Sequence, residues 1–131
     1  FAQRVMRLID ERGWGFWAVE ERASGRFIGF VGLHVPSDKL PFSPCVEVGW
    51  RLAKPYWGLG YATEAAQSAI AFGFQQLHLK ELVAFTAIAN LKSRAVLERL
   101  GMRLDCEFDH PQLPVESWLR RHVLYRLHSP V

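Results

Sequence analysis

Two glycines one residue apart, Gly58 and Gly60, lie between a segment typical of a β-strand and a segment typical of an α-helix. The strand segment is CVEVGWRLA (residues 45–53), rich in β-branched and aromatic residues. The helical segment has small and apolar residues on one face from Ala62 to Leu77. A turn of this kind points backbone N–H groups outward at the positive end of the helix dipole. The chain is therefore expected to pass from a sheet strand directly into a helix N-terminus, where the glycines either hold an anion or merely make a tight strand-to-helix connection.

The rest of the chain continues this mixture of helical and strand patterns. Helices are predicted over 1–12, from the glycine loop to about Leu77, and between the N-cap Asn90 and Gly101; strands are predicted over 14–21, 26–35, 45–53, 81–89, 102–108 and 118–128. The order α-β-β-β-α-β-α-β-β starts with antiparallel hairpins and includes one βαβ crossover, whose two strands must be parallel. We therefore expect an α+β fold with a mixed, mostly antiparallel central sheet flanked by helices.

Length and composition narrow the class of protein. The 131 residues, 50% of them hydrophobic, suffice for one domain with one core, and we expect residues 1–131 to form it. No apolar run reaches the ~18 residues of a membrane span, and the charged N-terminus is unlike a signal peptide, so we expect a cytoplasmic protein. Cys45 and Cys106 are expected to be buried thiols, and no metal is expected. A net charge of +3 suits an anionic ligand but is too small to indicate nucleic-acid binding.

Two common phosphate-binding loops fit the glycine segment poorly. No lysine follows Gly60, as a Walker A loop would require. A dinucleotide fingerprint needs a third glycine where this chain has Thr63, and Glu81 stands at the wrong end of the next strand to bind a ribose. Both kinds of nucleotide site are therefore disfavoured.

Four motifs in register resemble a known superfamily. They are EVGWRL (47–52), YWGLGYATEA (56–65), NLKSRAVLERLGM (90–102) and HVLYRL (122–127). With them the chain resembles the GNAT acyl-CoA-dependent N-acyltransferases, in particular the Rim-type ribosomal-protein N-terminal acetyltransferases. Its loop is similar to the family's [QR]xxGx[GA] loop, with Trp57 where Gln or Arg is usual. The resemblance implies a V-shaped splay between two parallel strands. It also implies a further N-terminal strand, so we expect this chain to be N-terminally incomplete, with a homodimer partner as one way to cover the shortened edge.

The resemblance also implies a function. It predicts an acetyl-CoA-dependent N-acetyltransferase that moves an acetyl group directly to a primary amine, either a protein N-terminus or a small molecule. A non-catalytic acyl-CoA-binding or interaction module on the same fold is the alternative. No nucleic acid, membrane or metal is implied. The residues expected to bind coenzyme A are Trp50, Leu52, Trp57, Gly58, Leu59, Gly60, Tyr61, Ala62, Thr63, Asn90 and Ser93.

Candidate catalytic residues are fewer. Glu47 is the first candidate for the general base, with His34 as a second candidate; an exposed or arginine-paired strand glutamate is the alternative interpretation of Glu47. The family's usual tyrosine acid is replaced by Leu97. Ser93, a water or no dedicated acid therefore remain for protonation of the thiolate, and Tyr125 is expected to be a packing residue.

Several side chains keep two interpretations. Four tryptophans could line the acceptor pocket or belong to the core, and five basic residues could bind phosphates or form a solvated surface. These are Trp14, Trp17, Trp57 and Trp118, and Arg51, Lys54, Lys92, Arg94 and Arg99.

Overall fold

The computed structural model describes residues 14–36, 40–111, 113–114, 116–117 and 119–130. The helix predicted over 1–12 and the side chain of Trp118 lie outside these residues. No helix within the described ranges is long and apolar enough to cross a membrane.

Among the described residues, six strands form one sheet, and two helices pack with it. In chain order the elements are β1 (Phe16–Glu21), β2 (Arg26–His34), β3 (Glu47–Leu52), a 3-10 turn (Lys54–Tyr56), α1 (Tyr61–Gln75), β4 (Glu81–Ala87), α2 (Leu91–Arg99), β5 (Arg103–Asp109) and β6 (Arg121–His128). The sheet order is β1-β2-β3-β4-β6-β5, and of these neighbours only β3 and β4 run parallel. The predicted mixed, mostly antiparallel α+β fold is confirmed.

Several predicted boundaries were wrong by one to three residues; strand β1, for example, begins at Phe16 rather than at residue 14, and β4 ends at Ala87 rather than at residue 89. The first described helix, α1, ends at Gln75 rather than near Leu77, because the chain turns back through His78 (φ 55°). Strand β3 begins at Glu47 and not at residue 45. Strand β6 begins at Arg121 rather than at residue 118, since the N–H of Arg120 closes a turn onto the carbonyl of Ser117 at 3.1 Å.

The two faces of the sheet are covered differently. On what we call the helix face, Leu33, Val48 and Tyr125 pack with Ala66 of α1 and Leu97 of α2. Tyr125 is 1% exposed, as expected for a packing residue.

On the opposite side, the loop face, a smaller core of Leu40, Val83, Phe108 and Leu124 is covered by Phe42 and Cys45 from the β2–β3 loop. Cys45 is only partly buried and Cys106 is exposed on β5, so the prediction that both thiols are buried was wrong.

The parallel strands β3 and β4 separate soon after they meet. The structure has one paired position between them, Glu47 with Val83, where the N–H of Val83 bonds to the carbonyl of Val46 at 3.0 Å. Beyond this pair the strands diverge toward their carboxyl ends, which confirms the V-shaped splay.

Candidate active site

A cavity of about 180 Å³, here called the gap cavity, fills the splay between β3 and β4. Both strands, the N-cap Asn90 and one side of α2 line it. The lining residues are Glu47, Val48, Gly49, Trp50, Ala84, Phe85, Thr86, Asn90, Ser93 and Leu97. A small group in this cavity would therefore touch the two separated strands and the start of α2 at once.

A second cavity, here called the helix-face cavity, has a volume of about 560 Å³. It is lined by the end of β3, the 3-10 turn, the glycine loop, the first turn of α1 and much of α2. Trp50, Asn90 and Ser93 line both cavities. The two cavities therefore adjoin, and a long ligand on the helix face could place one end in the splay.

The glycine loop lies along this second cavity. Gly58 (φ 75°) and Gly60 (φ 82°) both have left-handed backbone conformations, which glycine adopts without strain. Gly60 is the N-cap of α1, and the first intrahelical hydrogen bond runs from the N–H of Glu64 to its carbonyl at 3.0 Å. The preceding amides of 61–63 have no partner within the helix. This arrangement fits phosphate oxygens, which bind well at helix N-termini.

Trp57 connects the loop to both neighbouring elements. Its indole Nε1 donates a hydrogen bond to the carbonyl of Leu52 at 2.8 Å, which fixes the loop to the end of β3. The Lys92 ammonium lies 5.2 Å from the Trp57 ring centroid, within cation–π range. Since both side chains line the helix-face cavity, Lys92 is held at its wall.

The five basic candidates divide into two groups. Arg51, Lys92 and Arg99 line the helix-face cavity, whereas Lys54 and Arg94 do not. Arg94 donates from Nε to the buried Tyr125 hydroxyl at 3.2 Å and from Nη1 to a backbone carbonyl, so it anchors α2 to the sheet.

Asn90 and Ser93 begin α2 where the two cavities meet. The Asn90 side-chain oxygen accepts a hydrogen bond from the N–H of Ser93 at 3.3 Å, as predicted for an N-cap. Leu97, one turn further along α2, is 1% exposed and lines the gap cavity. Its side chain has no proton to donate, which leaves Ser93 as a hydroxyl donor on the same helix.

Glu47 lies where β3 and β4 begin to separate. Burial raises the pKa of its carboxyl group to about 8. His34, the second candidate for the base, pairs with Glu47 across β2 and β3, and its ring contacts Phe16 at 5.5 Å. Desolvation, then the neighbouring Glu47, raises the pKa of Cys45 to about 11. The Cys45 thiol is therefore protonated at neutral pH and is a poor nucleophile.

Some predicted residues lie away from the two cavities. Leu59 is 59% exposed and is absent from both linings, whereas the other ten coenzyme A candidates line one or both. Trp14 and Trp17 pack against the helix-face core.

Sequence reasoning assigned no site role to Tyr56, Phe85 or Thr86, which line the cavities. Phe85 and Thr86 belong to a strand whose apolar pattern indicates only burial. Tyr56 lies next to the glycine loop in the sequence, and this position could have identified it as a site residue.

No group of three or more His, Cys, Asp or Glu side chains suited to a metal occurs among the described residues.

Comparison with known proteins agrees with this geometry. The family model described as "Acetyltransferase (GNAT) domain" matches residues 1–103. YkkB, an uncharacterized protein of Bacillus subtilis, is 29% identical over 122 residues, covering 92% of this chain and 66% of that protein. An Aspergillus fumigatus protein named FsC-acetyl coenzyme A-N(2)-transacetylase is 35% identical over 94 residues, covering 69% of this chain and 39% of that protein. The chain thus spans less than two thirds of either relative.

A solved structure shares the fold. The ribosomal-protein-S5-alanine acetyltransferase from Vibrio fischeri superposes with a TM-score of 0.79 and 24% identity, covering 98% of this chain and 70% of that one. The family match over residues 1–103, together with the splayed parallel strands and the glycine loop, leads to one conclusion: the chain belongs to the GNAT acetyltransferase domain family.

Proposed function

We propose that this chain is an acetyl-CoA-dependent N-acetyltransferase that acts on a primary amine. The observation that carries the proposal is the meeting of the two cavities at Trp50, Asn90 and Ser93, with Glu47 at the gap cavity. A donor on the helix face and an amine at the splay would thus approach each other through the sheet.

Coenzyme A suits the helix-face cavity. The first amides of α1, which have no partner within the helix, would bind its diphosphate, and the neighbouring Lys92 and Arg99 supply positive charge. The acyl donor supplies the activated acetyl group as a thioester. The relative named an acetyl coenzyme A transacetylase is consistent with this choice of donor.

Glu47 is the proposed general base. As the amine nitrogen attacks the acetyl carbon, a C–N bond forms, the C–S bond breaks, and the proton lost by nitrogen passes to the Glu47 carboxylate. A carboxylate whose pKa is about 8 is a stronger base than an ordinary glutamate, because burial destabilises its charged form. The Ser93 hydroxyl is the proposed hydrogen-bond donor to the departing sulfur, in place of a tyrosine at position 97.

Two measurements test this function. Calorimetric titration with acetyl-CoA should give saturable one-to-one binding, and thiol release should depend on an added primary amine. A well-folded chain that binds no acetyl-CoA would reject the proposal. Binding without thiol release across amino acids, polyamines and peptides with free N-termini would instead indicate a non-catalytic binding module.

A further inference from the structure

The loop-face side of the gap cavity is bounded by a glycine on one strand and an aromatic ring on the other. Val48 packs in the helix-face core, so its neighbours Glu47 and Gly49 on β3 face the opposite side of the sheet. On β4, Phe85 packs against the loop-face core and also lines the cavity. Glu47 pairs with Val83, so Gly49 and Phe85 each lie two residues further along the separating strands. We call this side of the cavity, bounded by Glu47, Gly49 and Phe85, the acceptor slot.

Gly49 keeps the slot open on its β3 side. A Cβ atom added at Gly49 would meet no atom closer than the ring of Phe16, at 3.4 Å, and the backbone of Gly49 is not left-handed. The Phe16 ring thus lies next to the slot, although it does not line the gap cavity itself. The space that a side chain at position 49 would fill is therefore available to a ligand.

Phe85 forms a fixed wall on the β4 side. Its ring centroid lies 5.7 Å from that of Phe42 and 5.8 Å from that of Phe108, and the Phe108 ring meets it edge to face. Phe108 is buried in the loop-face core, and Phe42 packs against that core. Because these rings hold Phe85 in one orientation, the cavity has a rigid aromatic surface, against which a second aromatic ring packs more favourably than an aliphatic group of equal area.

Charge limits what the slot can accept. Among the described residues that line the gap cavity, Glu47 has the only ionisable side chain, and the reacting amine is its partner. A carboxylate or a second ammonium on the acceptor would meet no opposite charge there, and burying an unpaired charge is costly. The group attached to the amine should therefore be uncharged where it lies in the slot.

We propose that Phe85 and Gly49 select the acceptor, and that the acceptor is a primary amine joined through a short chain to a planar aromatic ring. The inference rests on the proposed function and names its substrate class. Phe85 is two residues beyond the partner of Glu47, about 6.5 Å along the strand. Two carbon atoms between an amine at Glu47 and a ring beside Phe85 suit this separation. The ring could belong to a free arylalkylamine or to an aromatic residue at a peptide N-terminus.

Matched amine pairs test the slot. One pair is 2-phenylethylamine and 2-cyclohexylethylamine; the other is the peptide amides Phe-Ala and cyclohexylalanyl-Ala. The members of each pair have the same chain length, but one ring is planar and aromatic and the other is puckered and aliphatic. We expect kcat/KM to be about three- to tenfold higher for the aromatic member, the effect typical of a pair of aromatic rings. The pair that shows the preference identifies the source of the ring, and equal values in both pairs would overturn the proposal.

Variants show whether the slot causes the preference. Phe85→Leu should lower the ratio of kcat/KM between the aromatic and aliphatic members by about threefold or more. Because the basicity of each amine is the same in every assay, a changed ratio reports on the protein. Phe27→Leu removes an exposed ring that lines neither cavity, and it should keep the wild-type ratio. An unchanged ratio in Phe85→Leu would reject the slot, since a merely structural role slows both members equally.

Gly49→Ala narrows the slot from the other strand. Its methyl group would make an ordinary van der Waals contact with Phe16, so the chain should still fold. This variant should lower kcat/KM for 2-phenylethylamine at least fivefold more than for ethylamine, which carries no ring. Equal effects on the two amines would mean that the acceptor does not pass beside Gly49, contrary to the proposal.

A binding measurement separates this inference from the proposed function. The products N-acetyl-2-phenylethylamine and N-acetyl-2-cyclohexylethylamine are neutral, so amine basicity does not affect their binding, and they can be titrated calorimetrically into the wild-type chain. If no amine releases thiol, the transferase proposal fails, yet tighter binding of the aromatic product still supports the slot. Wild-type chain that binds both products equally, or neither, would reject the slot, and this arm needs no variant to fold.

Discussion

The two sides of the sheet meet at the splay but are built in different ways. On the helix face, most of the cavity wall comes from two short stretches, 57–63 and 90–99, which present backbone amides and cations and are joined by the end of β3. On the loop face, Glu47 and Phe85 come from two separate strands, and desolvation raises the pKa of the Glu47 carboxyl group to about 8. The helix face, where we place the acetyl donor, is thus built from residues that are close in sequence. The loop face, where we place the amine acceptor, is built from residues that come together only when the sheet has formed.

The electrostatics of the two sides also differ. The helix face offers positive groups near a helix N-terminus, where an anion is stabilised in its ground state. The splay offers a carboxyl group whose charged form is destabilised by burial, which favours proton transfer. A substitution on the helix face should therefore change acetyl-CoA affinity, whereas a substitution at the splay should change the rate of acetyl transfer and leave that affinity unchanged.

Removing the Glu47 carboxylate should have the largest effect. Glu47→Gln keeps the shape and polarity of the side chain but cannot accept a proton, so we expect a loss of about 10²- to 10⁴-fold in amine-dependent thiol release. Affinity for acetyl-CoA should stay within about twofold, because the helix-face cavity is untouched. The exposed Glu20→Gln on β1 is the matched control. A variant that lost affinity and rate in parallel would show that the two sides do not separate.

The same substitution should change the pH dependence of stability. The pKa of Glu47 is raised from 4.5 to about 8 in the folded chain. Between these pH values the folded chain retains a proton that the unfolded chain has released, so the free energy of unfolding falls as the pH rises through this window.

Glu47→Gln cannot titrate and should escape this loss. Urea denaturation from pH 4.5 to 9 should therefore show that the free energy of unfolding of the variant, relative to that of the wild type, increases up to about pH 8. Above that pH the difference between the two proteins should stay constant. Parallel stability curves for the two proteins would mean that Glu47 is solvated in the folded chain.

Two glycines with the same backbone angle provide the next comparison. Gly60 and Gly101 both have φ 82°, and neither would meet another atom within 4 Å of an added Cβ. Gly60→Ala and Gly101→Ala should therefore each lower the free energy of unfolding by about 1–2 kcal/mol through backbone strain alone.

Only Gly60→Ala should weaken acetyl-CoA binding, because only Gly60 lines the helix-face cavity. Calorimetry on both variants, beside urea denaturation, checks this. Equal loss of affinity in the two would assign the effect to stability and not to the loop.

Much of the fold and of the helix face was predictable from the sequence, because both are encoded by local patterns. Strand alternation, the N-cap Asn90 and the left-handed glycine loop are each set by a few adjacent residues. Phe85 gave no such signal, since the rings that it contacts, those of Phe42, Phe108 and His122, are distant in sequence and meet it only in the assembled sheet. The end of α1 was misplaced because tertiary turning at His78 overrides a helical pattern that continues to Leu77. The sequence could not distinguish Lys92 from a solvated surface lysine either.

Lys92 therefore gives the smallest but most discriminating test of the helix face. Its ammonium lies 5.2 Å from the exposed Trp57 ring, at a cavity wall that Arg99 also lines. If it contacts a phosphate group of the donor, Lys92→Met should weaken acetyl-CoA binding about three- to tenfold and flatten its dependence on salt, since one exposed ion contact is lost. Lys80→Met removes an equal charge that is remote from both cavities, and it should change neither quantity. If Lys92→Met bound acetyl-CoA with unchanged affinity and salt dependence, Lys92 would be a surface lysine stacked on an indole, and the backbone amides of the glycine loop would have to bind the diphosphate without it.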